Sequence, residues 1–519
     1  MPRFEKFPSS NPSEDRSPDT SQAPSGDARR DASRVTSRVT SKDQSGVRSH
    51  RFAPYYFALA ILLVLSAAAL MSRPAVVHGQ PLATDPGPRP LPADAGNFYS
   101  ALTADQLAIT QRLTQIFTEV NFVAGGPLVK TVGLGPRFNS NSCNSCHAYP
   151  AVGGSSPPNN PLFSIYQLEG ATNTMPYFIT PTGPVIVARF PYVLGTTTPD
   201  GGVHQMFTIS NRVDAPGCTT VVQPDFTAQQ AANDIIFRQV TPTYGTGLIE
   251  LVQESAILAN MNSNLPLKQS LGISGHPNYS DDDGTIARFG WKAQNKSLLY
   301  FSGEAYTVEE GVSDEAFPSE NDEAIPSCLP PFPVPPGTNK TKGVPDDRND
   351  TGEAPKIPVN FPGDLERFSL FMRFLAPPTP VPPNASTSNG LLQFNAVGCN
   401  LCHNNSFTTP NSTIAALSNV TANLYSDLLV HDMGPGDADN VTQGNATGDQ
   451  FRTAPLWGIG QRINFMHNGS TNNIVTAIED HFSLGNGTYP NSEANQVINN
   501  FNALDQKNQQ DLVNFLRSL

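Results

Sequence analysis

Two five-residue strings, Cys143-Asn144-Ser145-Cys146-His147 and Cys399-Asn400-Leu401-Cys402-His403, constrain this chain more than any other feature of it. In each, two thiols sit three positions apart and a histidine follows the second. That spacing is the attachment signature of a c-type haem. The thiols form thioethers with the two vinyl groups of one porphyrin, and the histidine binds the iron from the proximal side. The plain alternative is one zinc site made from all four cysteines. It leaves both histidines unexplained, and the two copies lie 256 positions apart (399 minus 143). Two copies that use four of the six cysteines point to two covalently bound haems.

The rest of the chain sets the compartment. Residues 1–51 carry ten Lys/Arg against seven Asp/Glu and few large apolar side chains, so they cannot bury a core and are expected to be disordered. Residues 52–71 (FAPYYFALAILLVLSAAALM) have no charge and are long enough to span a bilayer. The stretch 52–79 is either a secretory signal or an uncleaved inner-membrane anchor. Its basic flank predicts a cytoplasmic N-terminus and a periplasmic remainder, which agrees with covalent haem attached after export. With the whole chain at −13 and the leader at +3, the remainder carries −16. An acidic body argues against nucleic-acid binding and suits a small basic redox protein as electron donor or acceptor. In an oxidising compartment, Cys218 and Cys328 are either a disulfide or two buried free thiols.

Local patterns divide the exported part. Residues 82–96 read as a linker. Leu107, Leu113, Ile116, Phe117 and Val120 recur at helical spacing and predict an amphipathic helix leading to the first haem. Residues 150–285 alternate short apolar stretches with turn signals and read as a strand-and-loop insertion. Proline-rich connectors occupy 325–337 and 376–384, the second marking a domain boundary. Beyond it, 385–519 reads as a cytochrome c domain. Gly390 and Phe394 precede Cys399, and Leu512, Phe515, Leu516 and Leu519 form the stripe of a terminal helix. In such domains the first and last helices cross, and Gly390 permits their close approach.

The sixth iron ligand decides chemistry: two strong protein ligands make an electron-transfer haem, and an open or labile position makes one that binds peroxide. For the second haem, Ile474, Ala477, Ile478 and His481 share a helical face, which favours His481 over Met433, Met466, His467 and His431. Met433 and Met466 read as core side chains, and His467 as a hydrogen-bonding group at the haem edge. For the first haem, His204 and His276 are the candidates for a labile ligand, though each reads first as an ordinary surface or loop histidine.

The exported portion resembles the bacterial di-haem cytochrome c peroxidase superfamily, and more closely its di-haem oxidoreductase branch, also labelled thiol oxidoreductase. The matching stretches are GLGPRFNSNSCNSCHAYPAVGGSSP, YGTGLIELVQESAI, RFGWKAQNKSLLYFSGEAYTVEEGVSDEAFPSE, FSLFMRFLAPP, LLVHDMGPG and FRTAPLWGIGQRINFMHNGSTNN, spread from about residue 97 to 519. The resemblance implies a mainly α fold with irregular loops, a strand-containing insertion and two cytochrome c-like haem domains, spanning 82–375 and 385–519. It also implies a calcium ion at their interface. By position it puts His481, fourteen residues after His467, on the second iron, and Trp291 of RFGWKAQ between the haems as electron relay. It makes Glu309, eighteen residues after Trp291, the acid–base group for hydrogen peroxide, although position 310 holds Glu where the peroxidases have Met. Without the resemblance, Glu309-Glu310 reads as a solvated surface pair and Trp291 as a core tryptophan. Three functions follow as expectations. The first is a peroxidase-like enzyme reacting at the His147 haem. The second is a non-catalytic di-haem electron carrier. The third is a thiol oxidase, for which no CxxC outside the haem motifs speaks.

Overall fold

The helix Ala104–Phe117 shows how this chain starts its elements. Thr103 caps it, accepting from the Gln106 amide while the Gln106 side chain returns to the Thr103 N–H. Leu113, Ile116 and Phe117 are buried, but Leu107 is 45% exposed and Val120 lies past the helix end, 38% exposed. The helix therefore covers core over its last two turns only, and the predicted apolar stripe was too long at both ends. Phe117 stacks on Phe371 of the helix Asp364–Phe374 at 4.2 Å between ring centres and reaches the His147 ring at 6.0 Å. The helix thus ends at the first CxxCH. These positions come from a computed structural model that describes residues 83–90, 94–121, 134–135, 137–168, 173–208, 222–312, 314, 316–317 and 363–519. The leader 1–51, the apolar segment 52–71, Cys218 and Cys328 lie outside the described residues. Among the described residues no helix is long and apolar enough to cross a membrane.

The fold is mostly helical, with irregular stretches and small antiparallel sheets. The largest sheet has Ile186–Arg189 in the centre, flanked by Val203–His204 and Ile236–Gln239. Side chains alternate faces along a strand and pair across it. Val187 is opposite Arg238, so Val187, Arg189 and Arg238 share one face and line a cavity. Ala188, with Phe190 at the strand's end, goes into a separate apolar cluster with Phe138, Met206 and Phe207. Farther on, the expected strand-and-loop stretch turns helical at Thr246–Leu251, Glu254–Met261 and Leu265–Leu271. These helices have only six to eight residues each, too few for a 3.6-residue period to stand out among turn residues.

In the C-terminal part, Asn384 caps the helix Ala385–Val397, and Asp505 caps the final helix Gln506–Ser518. They cross at Gly390, where a Cβ would stand 2.0 Å from the Asp511 carbonyl oxygen. Phe394 and Phe515 fill the space beside the crossing, 5.5 Å apart. Gly390→Ala is expected to force the helices apart and lower stability by about 1–3 kcal/mol, read as a lower melting temperature with haem content unchanged.

Two features depart from the predicted partition. Residues 83–89, read as linker, are strapped onto the C-terminal helices. Asp85 accepts two bonds from Arg517 at 2.8 and 2.6 Å and one from the Ile474 N–H at 2.8 Å, and Arg89 donates its backbone N–H to Gly460 O at 2.8 Å. In addition, the apolar core around Phe117 and Phe371 takes in Phe407, Leu417, Leu424, Leu428 and Trp457. The core therefore continues across the proline-rich connector at 376–384. Proline content marks an extended path, not the limit of a core.

Candidate haem sites

Each CxxCH string opens onto its own cavity. The C-terminal cavity and its open mouth together hold about 1410 Å³ of space free of protein atoms. Gly398 ends the preceding helix at φ +106°, a turn that favours glycine, and swings Cys399 and Cys402 onto the wall. His403 and His481 face each other with ring centres 6.5 Å apart. Their Nδ1 atoms are engaged by backbone carbonyls, Tyr425 O at 2.9 Å and Ala477 O at 2.7 Å. That fixes the tautomer that leaves each Nε2 free to ligate. One iron held between two Nε2 atoms needs about 6 Å between ring centres, from two bonds of about 2 Å and about 1 Å inside each ring. Burial pushes His403 down to about 4 and also lowers His481, so both rings are neutral, the form that binds metal.

Met433, Met466, His467 and His431 also line this cavity, but of the candidate histidines it is the His481 ring that packs against His403. His467 stacks on Phe451 at 4.3 Å, and Met466 sits in the left-handed region at φ +62°. His431 has both nitrogens occupied, Nδ1 by Glu493 at 2.6 Å and Nε2 by Asp427 at 3.0 Å. Burial opposes charge on His431, but Cys402 and Asp427 outweigh it and raise its pKa well above the ordinary range. Burial likewise would raise Glu493, yet the His431 hydrogen bond holds it down at about 2. A depressed carboxyl stabilises the fold fully above its unfolded pKa of about 4.5 and loses that effect as pH falls towards 2. Glu493→Gln should lower stability at pH 7 by about 3 kcal/mol and flatten the acid limb of the melting temperature between pH 4.5 and 2.

A fit for haem is also written in unsatisfied polar atoms. Arg462 is buried in the wall of this cavity with Nε and Nη2 unpartnered, and burial pulls its pKa to about 10. Asp437, on the same wall, has an unpartnered Oδ2 and is raised to about 7 by burial and by Asp480. Buried groups of this kind require a partner, and a haem propionate would supply one to Arg462.

The N-terminal cavity, about 1140 Å³ with its open mouth included, is lined by Cys143, Cys146 and His147. His147 Nδ1 lies 3.1 Å from Gly154 O, and burial lowers its pKa to about 4. Among the described residues it is the only histidine lining this cavity. His204 instead pairs with Asp200 at 3.0 Å and stacks on Phe190, and His276 bonds to Pro277 O at 3.1 Å. Glu309 and Glu310 are on the cavity wall, not a solvated surface. They ride a π-helical turn, Tyr306–Glu310, ended by Gly311 at φ +70°. The turn is tied to the first haem string, because the Glu309 carbonyl accepts from Asn139 N at 2.7 Å and Ser140 N at 3.0 Å. Glu310 accepts from Asn121 Nδ2 at 2.6 Å and contacts Cys143 Sγ at 3.6 Å. Glu309 Oε2 has no partner. Burial raises Glu309 to about 7, helped by Glu304 and opposed by Asn139 and Arg189.

Sequence reasoning missed Arg189, Arg238, Glu304 and Gln294 in this wall. A lone arginine inside the apolar run PVIVARF was the one available signal. Arg189 is 9% exposed, its Nε is unpartnered, and burial draws its pKa down to about 10.

Trp291 lines both cavities. Its Nε1 donates to Gln239 O at 2.8 Å, its own carbonyl accepts from Arg452 N at 2.8 Å, and its ring meets His467 edge-on at 6.4 Å. The core-tryptophan reading and the relay reading are thus compatible.

Residues 195–519 match the family model described as "Di-haem oxidoreductase, putative peroxidase". The chain belongs to the di-haem oxidoreductase family. Membership implies two haems, and the two cavities described above are where this di-haem oxidoreductase has residues that fit them. Among solved structures, it is similar to hydrazine synthase of Kuenenia stuttgartiensis, at 14% identity and TM-score 0.31, over 93% of this chain and 100% of that one. It is similar to a MauG-like protein associated with microbial copper homeostasis, at 15% identity and TM-score 0.28, over 53% and 89%. A third is the diheme peroxidase BthA of Burkholderia thailandensis, at 14% identity and TM-score 0.25, over 67% and 95%. No curated protein matches the chain.

Proposed function

We propose that this di-haem oxidoreductase is a periplasmic peroxidase that takes up hydrogen peroxide in the N-terminal cavity and draws electrons from the C-terminal haem through Trp291. The observation that carries this reading is the asymmetry of the two cavities. One has two neutral histidines spaced for a single iron. The other has His147 together with Glu309, whose Oε2 is unpartnered and whose pKa is raised to about 7 by burial. His147, Cys143 and Cys146 would hold one haem, and His403, His481, Cys399 and Cys402 the other.

Haem supplies the redox-active iron that binds and reduces peroxide. The side chains supply the rest. Ionised Glu309 accepts the proton of the inner peroxide oxygen and returns it to the outer one, so that water and not hydroxide leaves when the O–O bond breaks. One peroxide, two electrons and two protons give two waters. Arg189, on the same wall, lowers the Glu309 pKa and so keeps part of it ionised at neutral pH. Trp291, bordering both cavities, shortens the gap an electron crosses. The acidic exported body suits a basic small redox protein as donor. Residues 52–71 act as signal or inner-membrane anchor.

The test is low-temperature EPR of the oxidised, haem-loaded protein before and after hydrogen peroxide. A high-spin ferric signal that peroxide consumes supports the peroxidase. Two low-spin signals, unchanged by peroxide before and after one-electron reduction, would leave the electron carrier. Trp291→Phe should slow transfer between the haems at least about tenfold while leaving both optical spectra intact, measured after flash reduction.

A further inference from the structure

The oxygen-rich nest beside Trp291 is filled by the chain itself. Lys292 directly follows Trp291 and is fully buried. Its ammonium donates to Thr447 O at 2.7 Å and Gln450 O at 2.9 Å, pairs with Asp439 Oδ1 at 3.1 Å, and lies 4.0 Å from the centre of the Phe451 ring. An ammonium has three donors, and here each has an oxygen. The other Asp439 oxygen is taken by Arg238, whose Nε is 3.0 Å away. Arg238 lines the N-terminal cavity and Phe451 the C-terminal one, so this buried ion cluster bridges the walls of both. Arg452, whose N–H donates to the Trp291 carbonyl, also donates from Nε to Gly290 O at 3.0 Å. A calcium ion takes six to eight oxygens at about 2.3–2.6 Å. Here two carbonyls and both oxygens of Asp439 are already committed to side-chain cations, and the second nearby carboxylate, buried Asp449, accepts from Thr447 Oγ1 at 2.9 Å and leaves only its Oδ2 unpartnered, far short of the ligands calcium needs. Among the described residues no group of three His, Cys, Asp or Glu is placed to hold a metal. The expected inter-haem calcium therefore does not fit this junction.

We infer that Lys292 is a tethered cation that holds the Trp291 junction in the role a bound calcium ion would have, making coupling between the two cavities independent of metal. The inference rests on the reading of Trp291 as the path between the haems. A lysine ammonium is a compact point charge, suited to replace an ion in a nest of carbonyls. Unlike an ion, it cannot dissociate.

The experiment uses the haem-loaded protein. Metal analysis is expected to give two irons and no stoichiometric calcium, and chelation by EGTA should change neither the melting temperature nor the rate of electron transfer between haems after flash reduction. Lys292→Met, which keeps the stem volume without the charge, should slow that transfer at least about tenfold and lower the melting temperature by about 5 °C or more, with both haem spectra retained. Lys292→Ala should behave likewise and be restored to within about threefold by ethylammonium, but not by ethanol of similar size. One calcium per chain whose removal slows transfer would overturn the inference. So would wild-type transfer and melting in Lys292→Met. If neither variant folds, the chelation experiment on the unaltered protein decides alone. Absence of peroxide turnover in the unaltered protein would sink the proposed peroxidase without touching these readouts, which need no peroxide.

Discussion

Glu309→Gln is expected to lower kcat/KM for hydrogen peroxide by about 10²–10⁴, on the order of 3–5 kcal/mol of barrier, while both haems keep their spectra. Glutamine keeps the shape of the side chain and removes only its ability to take and return a proton. The unaltered protein carries a second signature of the same group. Glu309 works as a base, hence in its ionised form, and burial has lifted its pKa to about 7. Activity should therefore rise with pH through a midpoint near 7 and fall away below it. Glu310, also near 7 and adjacent, repels a second negative charge and broadens that rise. The Gln variant should lose the pH step along with the rate. Turnover at the wild-type level in Glu309→Gln would remove Glu309 from the mechanism.

The second large effect concerns His481. Substitution to Ala leaves His403 facing a gap in place of the ring now 6.5 Å away, and the C-terminal haem should pass from low-spin to high-spin in the oxidised EPR spectrum. His481→Met restores two protein ligands but exchanges imidazole for thioether, which should raise the reduction potential of that haem by on the order of 0.1–0.2 V in a spectroelectrochemical titration. An unchanged low-spin spectrum in His481→Ala would mean that another side chain binds this iron.

The legible parts of this protein were those whose chemistry is local. The CxxCH strings are local, and so is the apolar face of Ile474, Ala477 and Ile478 that brings His481 to the cavity. What the sequence hid depends on distance along the chain. Asp85 and Arg517 meet from 432 positions apart, so nothing near residue 85 revealed that the supposed linker is fastened down. Glu309-Glu310 looked like surface because adjacent charges usually are. Their burial is decided by Asn121, Asn139 and the first haem string, none of them close in sequence. Leu107 and Val120 failed for the opposite reason: periodicity identifies a face but not how far the neighbouring helix reaches along it. The arginines lining the cavities were missed because their partners are backbone carbonyls, as for Arg189 and Arg452, or a carboxylate 201 positions away, as for Arg238 and Asp439.

The shared apolar core also imposes an order on biogenesis. All four sulfurs of the two CxxCH strings belong to cavity walls, so under the proposed covalent attachment porphyrin vinyl groups would have to reach them before those walls close. The segment carrying Cys143 leaves the ribosome long before Phe407, Leu417, Leu424 and Leu428, yet its core is completed by them. On that reading the first attachment site would stay accessible until the second had also been made, and both haems would be loaded before the shared core closes.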